Sequence, residues 1–312
     1  MGKRRKKRRK SERSFLHLLI FMFFMLIFYA VKLMPAAAYP FISRLLGLLA
    51  FHTMRSSKRL VMRNLDIAYG ESMGRSEKTL ICKNLFASIV LNFCETVQIV
   101  KISTEKLVGM SVIEGEENLY AAMKQARGVV GISSHMGNFP RFQAVLVKKG
   151  FPVNFFSRPP SGVYLARFFR KLFGSVSIPL IYLNDKGKAI KEAQEWISGK
   201  GILCFYVDQH SGNGVEVDFF NRKVFSPVGA ATFARKYDCP VIGLFTYRLA
   251  DGRHKIIIEG PYPAQRTDNP SEDIRINTAF FMTRVEHYVR ECPGQWYSWM
   301  HKRFPSKLKR KK

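Results

Sequence analysis

The run Ser133-Ser134-His135-Met136-Gly137-Asn138-Phe139-Pro140 holds the residue types best suited to chemistry. A histidine that closes an apolar stretch and precedes Gly-Asn and a helix can sit at the floor of a cleft. A neutral imidazole there could take the proton of an attacking hydroxyl. Gly137 would let the backbone approach a ligand closely, and the helix N-terminus around Asn138 favours negative charge. A lone histidine in a turn is more often structural, so other residues must decide. Arg158, before Pro159-Pro160, could clamp a phosphate, or be a solvated or ion-paired arginine. Asp208 precedes His210-Ser211-Gly212-Asn213-Gly214 and reads equally well as a turn residue. Arg167 and Arg170 read as the solvated face of a helix. Trp296 and Trp299 read as core or interfacial aromatics.

The elements around these residues alternate. Residues 52–110 are predicted mainly helical, with Ser76–Val100 a long stretch free of Pro and Gly. Strands are expected at Gly128–Ser134, Pro152–Phe156, Ile178–Leu183 and Gly201–Val207. Helices are expected at Phe139–Lys149, Tyr164–Phe173 (stopping at Gly174), Lys186–Ser198 and Ser226–Tyr237, the last with Ser226 as N-cap. Val241–Arg248 and His254–Glu259 flank an Asp-Gly hairpin signal, and Ile274–Arg290 forms a final helix. This order predicts an α/β fold, a mostly parallel sheet sandwiched by helices. In such sheets ligands bind at the carboxyl ends of strands, which again singles out His135, Arg158 and Asp208.

The 312 residues carry 51 Lys+Arg against 23 Asp+Glu, a net charge of +28, and are 47% hydrophobic. That excludes a disordered chain and a polytopic membrane protein. Five scattered cysteines without CxxC spacing argue against a disulfide framework and a structural zinc site. Much of the charge lies in two tails, 1–14 and 304–312. Phe15–Val31 is apolar apart from His17, and a second apolar stretch, Leu33–Phe51, is broken by Pro35, Pro40 and Arg44. Residues 15–51 therefore read as a retained membrane anchor or hairpin ahead of a globular part at 52–303. Basic clusters on both sides of the anchor favour the cytoplasmic face for the globular part. A basic run against a membrane helix suits anionic lipid headgroups better than nucleic acid.

The ordered segments Arg63-Asn64-Leu65, Gly115-Glu116-Glu117-Asn118-Leu119, Gly128 through Asn138, Ser157-Arg158-Pro159, Asp208-Gln209, Asp218-Phe219-Phe220 and Gln295 through Arg303 resemble the late lipid A acyltransferases of bacterial inner membranes. The likeness covers roughly residues 55–303 and implies a glycerolipid-acyltransferase-like fold. It also implies transfer of an acyl chain from acyl carrier protein or CoA thioester to the hydroxyl of a lipid-linked acceptor. No metal or cofactor is implied. The family motif places an Asp or Glu five positions after the histidine, and here that position is Pro140. Three readings follow. Another acid assists His135, with Asp208 the best placed, as in relatives that acylate mannosylated phosphoinositides. Alternatively, the protein is a degenerate member with a lipid-binding or scaffold role, or His135 acts unassisted. In the first reading His135 and Asp208 are catalytic, and Gly137, Asn138, Arg158 and Gln209 bind substrate.

Overall fold

The computed structural model describes residues 2–125, 127–160 and 162–304, with side chains from His17 onward. In chain order the elements are α1 (Gly2–Leu33), α2 (Tyr39–Thr53), α3 (Arg55–Tyr69), α4 (Arg75–Ile99), α5 (Thr104–Gly109), β1 (Ser111–Glu114), α6 (Glu116–Met123), β2 (Val129–Ser133) and α7 (Phe139–Lys148). They continue with β3 (Val153–Ser157), α8 (Val163–Ser175), β4 (Leu180–Tyr182), α9 (Lys186–Ser198), β5 (Ile202–Tyr206), β6 (Val215–Phe219) and β7 (Arg222–Ser226). The last are α10 (Gly229–Tyr237), β8 (Val241–Arg248), β9 (His254–Tyr262) and α11 (Pro270–Glu291).

Seven strands form one sheet in the order β1-β9-β8-β2-β5-β3-β4. β8, β2, β5, β3 and β4 run parallel, while β9 returns antiparallel to β8 and carries β1 alongside it. Successive side chains of the central strands enter opposite layers, the period-2 consequence of the pleat. Val130, Ile132 and Leu203 join the core formed with α9, α10 and α11, whereas Val129, Ile202 and Cys204 pack with Phe142 and Val145 of α7. Every residue of β2 is buried, which is why it reads as an unbroken apolar run.

The helices before the sheet build a third cluster. The apolar half of α1, His17–Leu33, and the segment Ala36–Thr53 meet at a bend of 111°. Pro35 lies at this break, and Pro40 fits the first turn of α2. α2 rests on α4 through Ser43 and Gly47, and a Cβ on Gly47 would lie 2.5 Å from the Ala87 Cα. Its other side exposes Phe41, Leu45, Leu48 and Leu49. Among the described residues α4 alone is long and apolar enough by itself to cross a membrane, but 44% of its apolar window is buried, as in a core helix.

The structure corrects three local expectations. α10 starts at Gly229 rather than at Ser226, because the β6–β7 hairpin, turning through Phe220 and Asn221 at positive φ, carries the chain in extended form to Ser226. Ser226 does not cap the helix; its Oγ accepts from Arg303 Nη2 at 2.7 Å. α8 runs past Gly174 to Ser175. The short edge strand β1 and the β6–β7 hairpin have no turn signature of the Asn-Gly kind and escape sequence reading. The basic tail expected at 304–312 lies outside the described residues beyond Phe304, as do the side chains of the tail at 1–14.

Candidate active site

The site begins with strand register. β2 and β5 are adjacent and parallel, with Ser133 paired to Tyr206. His135 and Asp208 each lie two residues beyond that pair, so both emerge at the same sheet edge. The His135 Nδ1 lies 2.7 Å from Asp208 Oδ1, and the His135 peptide N–H donates to Oδ2 at 2.9 Å. Trp296 Nε1 and the Ser298 hydroxyl donate to the same Oδ2, each at 2.8 Å. Asp208 is fully buried, yet four donors surround it. Burial alone would raise its pKa. The attraction of His135, with hydrogen bonds from His135 and Ser298, outweighs burial and holds the carboxyl well below the usual carboxylate range. An ionised Asp208 fixes the tautomer: Nδ1 carries the proton and donates, which leaves the Nε2 lone pair available.

The imidazole is also held by packing. The Tyr206 ring lies 4.5 Å from it, centroid to centroid, and Phe139 meets it edge-on at 5.3 Å. The Tyr206 hydroxyl is itself fixed by Gln143 Nε2 at 2.9 Å. The ring remains partly open, with 19% of the side chain exposed. A short antiparallel bridge joins Met136 to Trp296. Tyr297 N–H donates to His135 O at 2.8 Å, and Gly137 N–H donates to Gln295 O at 3.1 Å. The loop that carries the histidine and the segment that carries two of the aspartate's donors are thus one unit.

The other sequence-selected residues are placed differently. Gly137 adopts φ +55°, and a Cβ there would lie 2.9 Å from Thr246 O and Tyr247 Cα. Its freedom admits the backbone of β8 rather than a ligand, and its N–H is engaged by Gln295. Asn138 is fully buried. Its Oδ1 caps α7 by accepting from Arg141 N–H at 3.1 Å, and its Nδ2 donates to Glu95 Oε2 at 2.9 Å. The Gly137 N–H and both ends of the Asn138 side-chain amide are thus engaged within the fold. Pro140 occupies the first turn of α7. Arg158 follows β3, two strands away from β2, and lines a separate cavity of about 210 Å³ with Pro159, Pro160, Phe169 and Tyr182. Gln209 adjoins Asp208 and is half-buried. Arg170 lies over the Tyr182 ring at 5.0 Å.

Behind the loop, Glu95 accepts from Arg248, from Asn138 and from His254 Nε2. Burial opposes its ionisation, but His254 and Arg248 outweigh that and lower its pKa. This buried network ties α4 to the start of α7 and to β8, so it fixes where the His135 loop ends.

Three residues that sequence reading passed over as machinery belong to the site. Trp296 and Ser298 hold Asp208. Asn64 of α3 donates through Nδ2 to both Trp299 O and His301 O at 2.8 Å, which pins the segment carrying them. The usable signal was chemical. A buried indole is donor-only and must find an acceptor, and a buried asparagine on a helix must find partners off that helix.

Fold and site define a class: an α/β protein with a histidine–carboxylate pair at the carboxyl edge of its parallel strands. Within that class, the chain belongs to the bacterial lipid A biosynthesis acyltransferase family, whose model matches residues 7–306. It is similar to the lipid A biosynthesis lauroyltransferase of Escherichia coli (strain K12), with 23% identity over 287 residues, spanning 86% of this chain and 87% of that protein. Family and relative together indicate an acyltransferase.

Proposed function

We propose that the protein is a membrane-anchored O-acyltransferase that works from the inner membrane of a bacterium with its globular part on the cytoplasmic side. His135 Nε2 takes the proton of an acceptor hydroxyl as that oxygen attacks a thioester carbonyl of acyl carrier protein or CoA. Asp208 holds Nδ1–H and stabilises the imidazolium that forms. The C–S bond then breaks, and the imidazolium returns the proton to the leaving thiolate. The first turn of α7, next to His135 in the chain, offers its positive end to the developing oxyanion. Gln209, next to Asp208, is a candidate substrate contact at the site, Arg158 is a candidate contact in the separate cavity after β3, and the acceptor is lipid A or a related glycolipid or phospholipid. The reading rests above all on the 2.7 Å contact between His135 and Asp208. It supplies the carboxylate that Pro140 cannot, and thereby favours an enzyme over a degenerate scaffold.

The test is acyl transfer from radiolabelled thioester by His135→Ala and Asp208→Asn proteins. Loss of turnover in both supports the assignment, and wild-type turnover in both removes it. Mass spectrometry of lipids from cells with and without the gene identifies the acceptor.

A further inference from the structure

We propose that the groove between α3, the start of α4 and the β6–β7 hairpin binds the phosphorylated headgroup of an anionic membrane lipid. The groove encloses about 1130 Å³, and six cationic side chains line it: Arg55, Lys58, Arg59, Arg63, Arg75 and Arg222. Three of them, Arg55, Arg59 and Arg63, recur every fourth residue and so stack on one face of α3, about 6 Å apart along its axis. Val61, Asn64 and Leu65 bury the opposite face. Arg75 and Arg222 come from other elements, so the convergence is tertiary and not a run of charge along one helix.

Among the described residues the only carboxylate lining the groove, Asp66, is engaged by Lys78 Nζ at 2.9 Å. Among the described residues none of the six cations has a carboxylate within 4.0 Å. Like charges at i, i+4 repel. An anion with several acceptor oxygens relieves that repulsion, and guanidinium groups match phosphate in planar, two-pronged geometry.

The surroundings select a lipid over free phosphate or an acidic protein. The groove begins at His52, in the last turn of α2, and α2 exposes Phe41, Leu45, Leu48 and Leu49. Met54, between the two helices, is also exposed. Apolar surface for acyl chains therefore continues directly into cationic surface for a headgroup, the pairing that an amphiphile needs. The groove is also coupled to the chemistry, because Asn64 of the same helix holds the segment that carries the donors to Asp208.

The experiment uses the full chain in neutral detergent and reads binding of dihexanoyl phosphatidic acid, with inorganic phosphate and dihexanoyl phosphatidylcholine as comparisons. Phosphatidic acid should bind, and Arg59→Gln with Arg63→Gln should weaken it by about tenfold or more, as expected for charged hydrogen bonds. Arg75→Gln with Arg222→Gln, on different elements, should weaken it likewise. Lys188→Gln with Lys191→Gln on α9 should leave it unchanged. His135→Ala should also retain binding, so failure of the catalytic assignment is distinguishable from failure of this one. Equal affinity for inorganic phosphate, unchanged binding by both arginine pairs, or an arginine-dependent site for acyl carrier protein without one for lipid would overturn the proposal.

Discussion

At the scale of single residues, Asp208 has an environment that only a permanent charge explains. A neutral carboxyl has no need of four donors, whereas an ionised, fully buried one does. Asp208→Asn puts an amide where an acceptor belongs and favours the wrong imidazole tautomer. Turnover should fall by roughly 10²–10⁴-fold, the contribution of positioned general-base catalysis, while circular dichroism stays native. Pro140→Glu is the complementary change. With Asp208 already on Nδ1, added acid at position 140 has no role to fill, and steady-state acyl transfer should stay close to wild type. A large gain would mean that the natural pair is not competent. Trp296→Phe keeps an aromatic ring, though a smaller one, and removes one donor to Asp208. It should lower thermal stability by about 1–3 kcal/mol, the cost of an unmatched buried polar group, and reduce turnover less than the loss of Asp208 does.

At the scale of elements, α2 packs closely on α4 at Gly47. Gly47 is there because no side chain fits: its missing Cβ would overlap the Ala87 backbone at 2.5 Å. Gly47→Leu forces the helices apart. Overpacking of this kind costs about 1–3 kcal/mol, to be measured as a lower unfolding midpoint in detergent, with earlier proteolysis near Thr53. The position was hidden in the sequence, where Gly47 sits inside an apolar run resembling any membrane-proximal segment. The elements around the site were far more legible. β2, α7, α9 and the β8–β9 hairpin carry strong apolar periodicity, caps or turn signals. Asn138 and Asp185, for example, cap their helices through side-chain oxygens. The β6–β7 hairpin was not legible, because its turn uses Phe220 and Asn221 at positive φ without glycine.

At the scale of the whole molecule, buried ionisable groups set the response to acid. The folded pKa values of Asp208 and Glu95 lie below their ordinary 3.8 and 4.5. Their stabilisation is fully present above those ordinary values and disappears as pH falls through the folded ones. His254 acts earlier. Burial, and then Arg248 and Arg141, outweigh Glu95 and keep it below its ordinary 6.5. The unfolded chain therefore takes up that proton first, and stability begins to decline as pH drops under 6.5. Urea midpoints measured from pH 7 to pH 3 should fall throughout this range. Asp208→Asn should be less stable at pH 7 and show a shallower decline below pH 4. The charge of +28 acts at the same scale by adding a salt-sensitive attraction to anionic headgroups, whereas the apolar half of α1 and α2 should keep the chain in the membrane pellet after a high-salt wash, until detergent is added.

The amino-acid sequence by itself determined the α/β order, the apolar N-terminal segment, the basic balance and the candidacy of His135, because local periodicity, composition and strand-end position are written along the chain. It also marked Asp208 as the strand-end acid best placed to assist His135, without fixing the contact between them. Tertiary structure alone decided that β5 lies beside β2 in a register that sets Asp208 against His135, and that Trp296, Ser298 and Asn64 close around that pair. It likewise withdrew Gly137 and Asn138 from the open site by packing them against β8 and α4. The reason is that pairing partners, donors to a buried charge and close backbone approaches are relations between distant segments. No property of one segment encodes them until the sheet and its covering helices have assembled.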